Sequence, residues 1–210
     1  MKIALINASP KVKTSASGVL AQTVAHYAEG KCDTVIVDMH KPVISEKAIE
    51  QLKECDSWVI FFPLYVDGVP GHIIPCLQAL EGMKIEIGEK FVCAVSNCGF
   101  YEGIQARYSL DIIKNWSKKA GHVYGGGIGI GGGGGVTTLM KPRAGAKPFT
   151  KIEKSLSDLL DKTMKRECFE NNYPSIWIPR WIYKFAGERG WYRDLARNGK
   201  KKEDIKRVPQ

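Results

Sequence analysis

The sequence predicts a doubly wound α/β domain, with a five-stranded parallel sheet in the order 2-1-3-4-5 and a C-terminal helical extension. Three observations favour this fold class. Strand-like and helix-like segments alternate along the chain, the segment Ser57–Phe62 is apolar almost throughout, and 210 residues suit one domain with an appendage. A continuous apolar segment is typical of a parallel strand that helices cover on both faces.

The individual elements follow from apolar periodicity and from capping residues. Ser45 is the expected N-cap of the second helix, and Thr150-Lys-Ile-Glu153 has the pattern of a capping box. We divide the chain into a domain at residues 1–168 and a basic, aromatic extension at 169–210. The predicted strands are 3–7, 34–38, 57–62, 91–96 and 122–130, and the predicted helices are 18–28, 45–55, 70–80, 103–120 and 150–166.

The loop after the first strand carries the most specific signal. Such loops hold phosphate in α/β proteins, because backbone N–H groups at the start of the next helix point at the anion. The segment from Ala8 to Ser17 has no glycine, so it matches neither the dinucleotide-binding nor the P-loop pattern. Its hydroxyls and lysines suit the single phosphate of flavin mononucleotide (FMN). The alternative is a Ser/Thr-rich turn with Ser17 as helix N-cap.

Two further loops follow the third and fourth strands. Pro63–Gly71 contains Asp-Gly and Pro-Gly pairs, which predict a rigid turn that brings backbone groups to the edge of a flat ring and Tyr65 to its face. The alternative is an ordinary connection with a packed tyrosine. In Ser96–Gly103, glycine allows close backbone approach, and Asn97 with two aromatic residues could hold the other side of the ring. Loops at the carboxyl ends of neighbouring strands should converge on one crevice.

Taken together, these loops resemble the three FMN loops of flavodoxin-like NAD(P)H-dependent FMN oxidoreductases. The likeness covers about residues 1–135, and it rests on Asn7–Lys11 with Ser15–Ser17, on Pro63–Pro70 and on Asn97–Gly103. The family commonly has glycine where this chain has Ala8. The cysteines of its iron–sulfur branch are absent from the sequence.

The resemblance implies a flavodoxin-like fold, FMN as cofactor, NADH or NADPH as co-substrate, and a homodimer. Cys98 could be nucleophilic, but no histidine follows it at a suitable position, so it is interpreted as a small residue lining the ring site. No catalytic side chain is predicted, because the flavin carries the redox chemistry. The residues implied at the phosphate are Ser9, Lys11, Ser15, Ala16 and Ser17, and those implied at the isoalloxazine ring are Pro63, Leu64, Tyr65, Val66, Asn97, Cys98, Gly99, Phe100 and Tyr101.

The predicted function is hydride transfer from NAD(P)H through FMN to a second small-molecule acceptor such as a quinone, a nitro compound or free flavin. One alternative is an electron carrier resembling flavodoxin, although such carriers are usually acidic around the flavin and this chain has a net charge of +9. The other is a binding module that uses the basic tail on a membrane or on nucleic acid.

The glycine-rich segment Gly125–Gly135 contains a formal G-x-G-x-x-G at Gly127, Gly129 and Gly132. It does not open a helix, so we interpret it as a glycine-rich strand and loop that borders the substrate mouth rather than as a dinucleotide site.

Charge, cysteine usage and hydropathy argue against nucleic-acid binding, a metal site and a membrane span. Residues 178–210 hold ten basic and four acidic residues, so most of the positive charge lies in the tail and nucleic acid is not an expected partner. The six cysteines form no C-x-x-C pair, which predicts reduced thiols and no metal site. No apolar segment approaches the roughly 20 residues of a membrane span, and no signal-peptide pattern is present, so we expect a cytoplasmic protein.

In the tail, Ile178, Trp181, Ile182 and Phe185 fall on one face of a predicted helix. We expect this face to pack on the domain, on a dimer partner or over the flavin mouth. Contact with a membrane surface is the alternative, since tryptophan and basic residues suit a headgroup boundary.

Overall fold

The computed structural model describes residues 1–136 and 149–206 and divides the chain into two compact units, Met1–Trp177 and Ile178–Gln210. The sequence placed this division after residue 168. That division stays a prediction; in the structure the segment 169–175 pairs with the last strand of the sheet. The last four residues of the extension lie outside the described residues.

The sheet of the first unit has five parallel strands in the order β2-β1-β3-β4-β5, as the sequence predicts. Its register places the ends of four neighbouring strands side by side, with Asn7 beside Asp38 and Phe61, and Pro63 beside Asn97. The loops that leave these ends therefore start from one edge of the sheet. The strands are β1 (Lys2–Asn7), β2 (Asp33–Asp38), β3 (Ser57–Pro63), β4 (Phe91–Asn97) and β5 (Val123–Ile130).

Helices cover both faces of the sheet, and alternate residues of β3 point to opposite sides. Trp58, Ile60 and Phe62 belong to the core cluster that includes residues of α2, α3 and α5. The other face contacts α1 and α6. The helices are α1 (Ala16–Ala28), α2 (Glu46–Lys53), α3 (Ile73–Gly82), α4 (Lys84–Ile87), α5 (Arg107–Lys119), α6 (Thr150–Lys165) and α7 (Arg180–Arg197), with 3₁₀ turns at Gly103–Ala106, Gly133–Gly135 and Lys202–Lys206.

The helix caps differ in part from the sequence prediction. Ser45 caps α2 as expected, with its Oγ accepting a hydrogen bond from the Ala48 N–H at 3.3 Å. The cap of α1 is Ser15 rather than Ser17, because Ser15 Oγ accepts from the Gly18 N–H at 3.0 Å. The predicted capping box of α6 is wrong, since Phe149 occupies the N-cap position and its side chain makes no capping bond.

The glycine-rich strand β5 is covered along its outer edge by the segment 169–175. The Phe169 N–H donates to the Gly125 carbonyl at 2.8 Å, and Asn172 exchanges bonds with Gly127 and Gly129 at 2.9 and 2.8 Å. A Cβ on Gly129 would lie 2.6 Å from the Gly103 carbonyl oxygen, so only glycine allows this approach. The glycines thus serve a closely packed strand, as the sequence predicts, and not a dinucleotide loop.

The second unit consists mainly of α7, which carries the predicted aromatic residues. None of its eighteen described residues is buried. Where its apolar face packs stays a prediction. Within 1–136 and 149–206, no helix is both long and apolar enough to cross a bilayer.

Candidate functional site

The loops after β1, β3, β4 and β5 enclose one cleft of about 300 Å³ at the carboxyl ends of the strands. This is where a doubly wound sheet places its ligand. Of the fourteen residues predicted at the cofactor, all but Val66, Phe100 and Tyr101 line the cleft. The lining residues are Ser9, Lys11, Ser15, Ala16, Ser17, Pro63, Leu64, Tyr65, Asn97, Cys98, Gly99, Gly133 and Gly134. That these residues bind FMN stays a prediction.

One end of the cleft is formed by the start of α1 and the loop before it. Ser9, Ser15 and Ser17 are buried polar residues, whereas Lys11 is exposed. Ser15 ends the loop as the N-cap, and Ala16 is the first residue of the helix. Backbone N–H groups at a helix start carry partial positive charge, so this end of the cleft suits an anion.

Asn97, the last residue of β4, connects the elements around the cleft. Its Nδ2 donates to Ser17 Oγ at 2.9 Å and to the Phe62 carbonyl at 3.0 Å. The backbone carbonyl oxygen of Asn97 accepts a hydrogen bond from the Leu64 N–H at 2.8 Å. The sequence predicts Asn97 beside the ring; the structure shows in addition that its amide joins the start of α1 and the end of β3 to β4.

The loop after β3 contains a tight turn with an unusual backbone. Tyr65 and Gly68 exchange two backbone hydrogen bonds of 3.1 and 3.0 Å across Val66 and Asp67. Val66 and Asp67 have φ angles of 48° and 59°, which makes a type I′ turn. A β-branched residue in the left-handed region is strained. Val66 is fully exposed at the tip of the turn, while Tyr65 is partly exposed at the cleft.

The loop after β4 is held by the end of β5. The Cys98 N–H donates to the Ile130 carbonyl at 2.9 Å, and the Gly133 N–H donates to the Cys98 carbonyl at 2.7 Å. A Cβ on Gly133 would lie 2.8 Å from that carbonyl oxygen. Gly133 and Gly134 were not among the predicted site residues. The glycine-rich segment Gly125–Gly135 could have indicated them, because glycine allows close backbone approach.

Cys98 is buried at the cleft wall, and burial raises the pKa of its thiol. The Sγ lies 3.8 Å from the Phe100 carbonyl oxygen and 3.7 Å from that of Glu102. A protonated thiol is a poor nucleophile. The environment therefore agrees with a lining role for Cys98 and not with covalent catalysis.

Comparison with known proteins supports the fold. The family model described as flavodoxin-like fold matches residues 1–73. The flavodoxin of Streptococcus pneumoniae TIGR4 is 10% identical, with a TM-score of 0.55, and the match covers 79% of this chain and 99% of that one. Smu.1420 from Streptococcus mutans UA159 is 12% identical, with a TM-score of 0.54 and coverage of 76% and 98%.

A third structure, rubredoxin oxygen:oxidoreductase from Desulfovibrio gigas, is 11% identical with a TM-score of 0.56, and the match covers 79% of this chain and 35% of that one. No curated protein matches the chain by sequence. Identities this low establish the shared architecture only. The chain therefore has the flavodoxin-like fold, and the part that matches the family model contains β1 to β3 with the first two loops of the cleft.

Proposed function

We propose that this protein is an FMN-dependent oxidoreductase that passes hydride from NAD(P)H, through the bound flavin, to a second small-molecule acceptor. One observation carries the proposal. Three loops that are far apart in the sequence meet at one cleft, and they are the loops that resemble the FMN loops of the flavodoxin-like oxidoreductases.

The residues at the two ends of the cleft fit the two ends of FMN. A phosphate suits the start of α1, where buried hydroxyls of Ser9, Ser15 and Ser17 lie near the N-terminus of the helix and Lys11 supplies a positive charge. The ring suits the opposite end, where Tyr65 offers an aromatic face and Gly99 and Gly133 carry no side chain. FMN, once bound, would supply the hydride acceptor and donor.

The chain's own groups would bind and orient the cofactor and would stabilise charge. Backbone N–H groups in the loops after β3 and β4 can stabilise negative charge on a reduced ring, because they are fixed dipoles. Cys98 stays protonated and adds no competing charge beside the ring. No side-chain acid or base is assigned, since hydride transfer does not require one here.

The test is spectroscopic and then kinetic. Purified full-length protein is mixed with FMN, separated from free flavin and examined for flavin absorbance bands. NADH and NADPH oxidation is then followed with a quinone, a nitro compound or free flavin as acceptor. Retained bands and turnover are expected. Protein that retains no flavin would contradict the cofactor assignment. Bound FMN without turnover, and with semiquinone accumulating during stepwise reduction, would instead favour the electron-carrier alternative.

A further inference from the structure

Ser9 is held on both sides by a closed network behind the cleft. Its N–H donates to Asn7 Oδ1 at 3.4 Å, and its carbonyl oxygen lies 2.6 Å from Nδ1 of His40. Asn7 Nδ2 donates to Asp38 Oδ1 at 2.8 Å, and His40 Nε2 lies 3.3 Å from the same oxygen. Both backbone polar groups of Ser9 are therefore fixed by side chains at the ends of β1 and β2.

The direction of the histidine contact follows from its partner. A carbonyl oxygen only accepts, so Nδ1 of His40 carries the hydrogen and donates to Ser9. Asp38 Oδ1, which lies 3.3 Å from Nε2, also only accepts, so it holds the other side of the ring when Nε2 carries a hydrogen too, and the contact is then an ion pair. Asp38 thereby orients the His40 ring, as a carboxylate on the other ring nitrogen orients many metal-binding histidines.

The network is buried, so the loss of one of its hydrogen bonds should be costly. Asn7 and Ser9 are buried, and the His40 side chain is only 14% exposed. Water is thus poorly placed to replace a lost bond, and an unpaired buried carbonyl is costly. Ser9 lines the cleft and its Oγ accepts from the Lys11 N–H at 3.3 Å, whereas His40 is not among the lining residues. The backbone position of Ser9 therefore determines the positions of its hydroxyl and of the following loop residues at the cleft.

We propose that His40, oriented by Asp38, is a positioning residue that sets the phosphate end of the cleft and so gives the site its preference for FMN over riboflavin. This inference rests on the proposed function, since it takes a flavin to be the ligand. Riboflavin shares the ring with FMN and lacks the phosphate, so a residue that acts through Ser9 affects one ligand and spares the other.

The experiment compares dissociation constants for FMN and riboflavin, measured by quenching of flavin fluorescence on full-length protein. His40→Phe keeps the ring volume and removes the donor, and it should weaken FMN binding about tenfold while riboflavin binding changes less than about twofold. His40→Asn places an amide donor near the position of Nδ1 and should restore most of the FMN affinity.

His72 provides the matched control. Its Nε2 lies 2.9 Å from the Met39 carbonyl oxygen, so it is another partly buried histidine bonded to a backbone carbonyl, and among the described residues it forms no hydrogen bond with Ser9. His72→Phe should leave the ratio of the two affinities unchanged.

The outcomes separate the two proposals. If the unaltered protein binds neither flavin, the proposed function fails. If it binds both flavins equally, or if His40→Phe weakens both to the same extent, or if His40→Asn gives no recovery, the role assigned to His40 is overturned while a flavin site remains. Melting temperatures of all variants show whether any loss of binding reflects loss of the fold.

Discussion

At the scale of single residues, the candidate site is built from small polar side chains whose positions are fixed by hydrogen bonds to other residues of the chain. Ser15 caps α1, Ser17 accepts from Asn97, and Ser9 lies between Asn7 and His40. The hydroxyls of Ser9 and Ser17, at the proposed phosphate end, therefore depend on residues far away in the sequence.

Ser15 and Ser45 give a matched pair of caps. Each serine accepts a hydrogen bond from the N–H three residues further on, at 3.0 and 3.3 Å, but only Ser15 lines the cleft. Ser15→Ala and Ser45→Ala should each lower the free energy of unfolding by about 1 kcal/mol. Only Ser15→Ala should weaken FMN binding, as followed by fluorescence titration. The rate of flavin reduction at saturating FMN should stay unchanged in both; a slower rate in Ser15→Ala would show that the serine acts in the hydride step.

At the scale of elements, two local structures need residues that the general pattern of the fold does not require. The turn Tyr65–Gly68 uses positive φ angles at a valine and an aspartate, and β5 uses glycines that approach neighbouring backbone closely. Both elements border the candidate site, which is where backbone strain and close approach tend to be retained.

Val66 is strained, and relieving the strain should stabilise the protein. Asparagine tolerates the left-handed region better than valine does, so Val66→Asn should raise the free energy of unfolding by about 1 kcal/mol in urea denaturation. Val12→Asn is the control, because Val12 is also an exposed loop valine but has no positive φ. Equal effects of the two substitutions would mean that the φ angle of Val66 carries no cost.

Gly129 is one of several glycines of β5 with little room for a side chain. A Cβ there would lie 2.6 Å from the Gly103 carbonyl oxygen and 2.8 Å from the Tyr173 ring, so Gly129→Ala should cost roughly 2 kcal/mol or more. At Gly82, near the end of α3, an added Cβ meets nothing within 4 Å. Gly82→Ala should therefore be neutral or stabilising in the same denaturation experiment. A Gly129→Ala variant as stable as Gly82→Ala would contradict the described packing of β5.

At the scale of the whole molecule, the end of the sheet opposite the cleft contains a buried histidine that links stability to pH. His122 lies between Trp58 and Trp116, with ring centroids 5.0 and 5.7 Å away. Its Nδ1 accepts from the Lys90 N–H at 3.3 Å, and its Nε2 has no hydrogen-bond partner among the described residues. Burial, with a smaller contribution from Lys90, lowers the pKa of His122 below 6.5.

Because the pKa of His122 is lowered in the folded protein, stability should decrease as the pH falls. Below pH 6.5 the unfolded chain binds a proton at His122 before the folded chain does, so the free energy of unfolding falls as the pH drops from 6.5 toward the folded pKa. Urea titrations across this window should show the slope for the unaltered protein. His122→Asn should flatten the slope, and His26→Asn, at a partly exposed position, should preserve it. A slope that survives His122→Asn would assign the effect to other groups.

The sequence predicted the strand order and the meeting of three loops, because both follow from alternating patterns and from parallel strands that end at one edge. The capping of α1, the cover on β5 and the contact of His40 with Ser9 were not predicted. The residues of these last two contacts are separated by 31 or more positions. Such pairings depend on how the folded chain brings elements together, and local propensity carries little information about them.

The segment 169–175 also has a consequence for shortened forms of the chain. It occupies hydrogen-bonding groups of β5 that would otherwise face solvent, and an uncovered strand edge can pair with the edge of another molecule. A chain that stops at residue 168 should therefore aggregate, whereas one that stops at Trp177 should stay monodisperse in light scattering. Equal behaviour of the two would show that the edge needs no cover. The segment 169–175 would thus prevent β5 of one molecule from pairing with a strand edge of another.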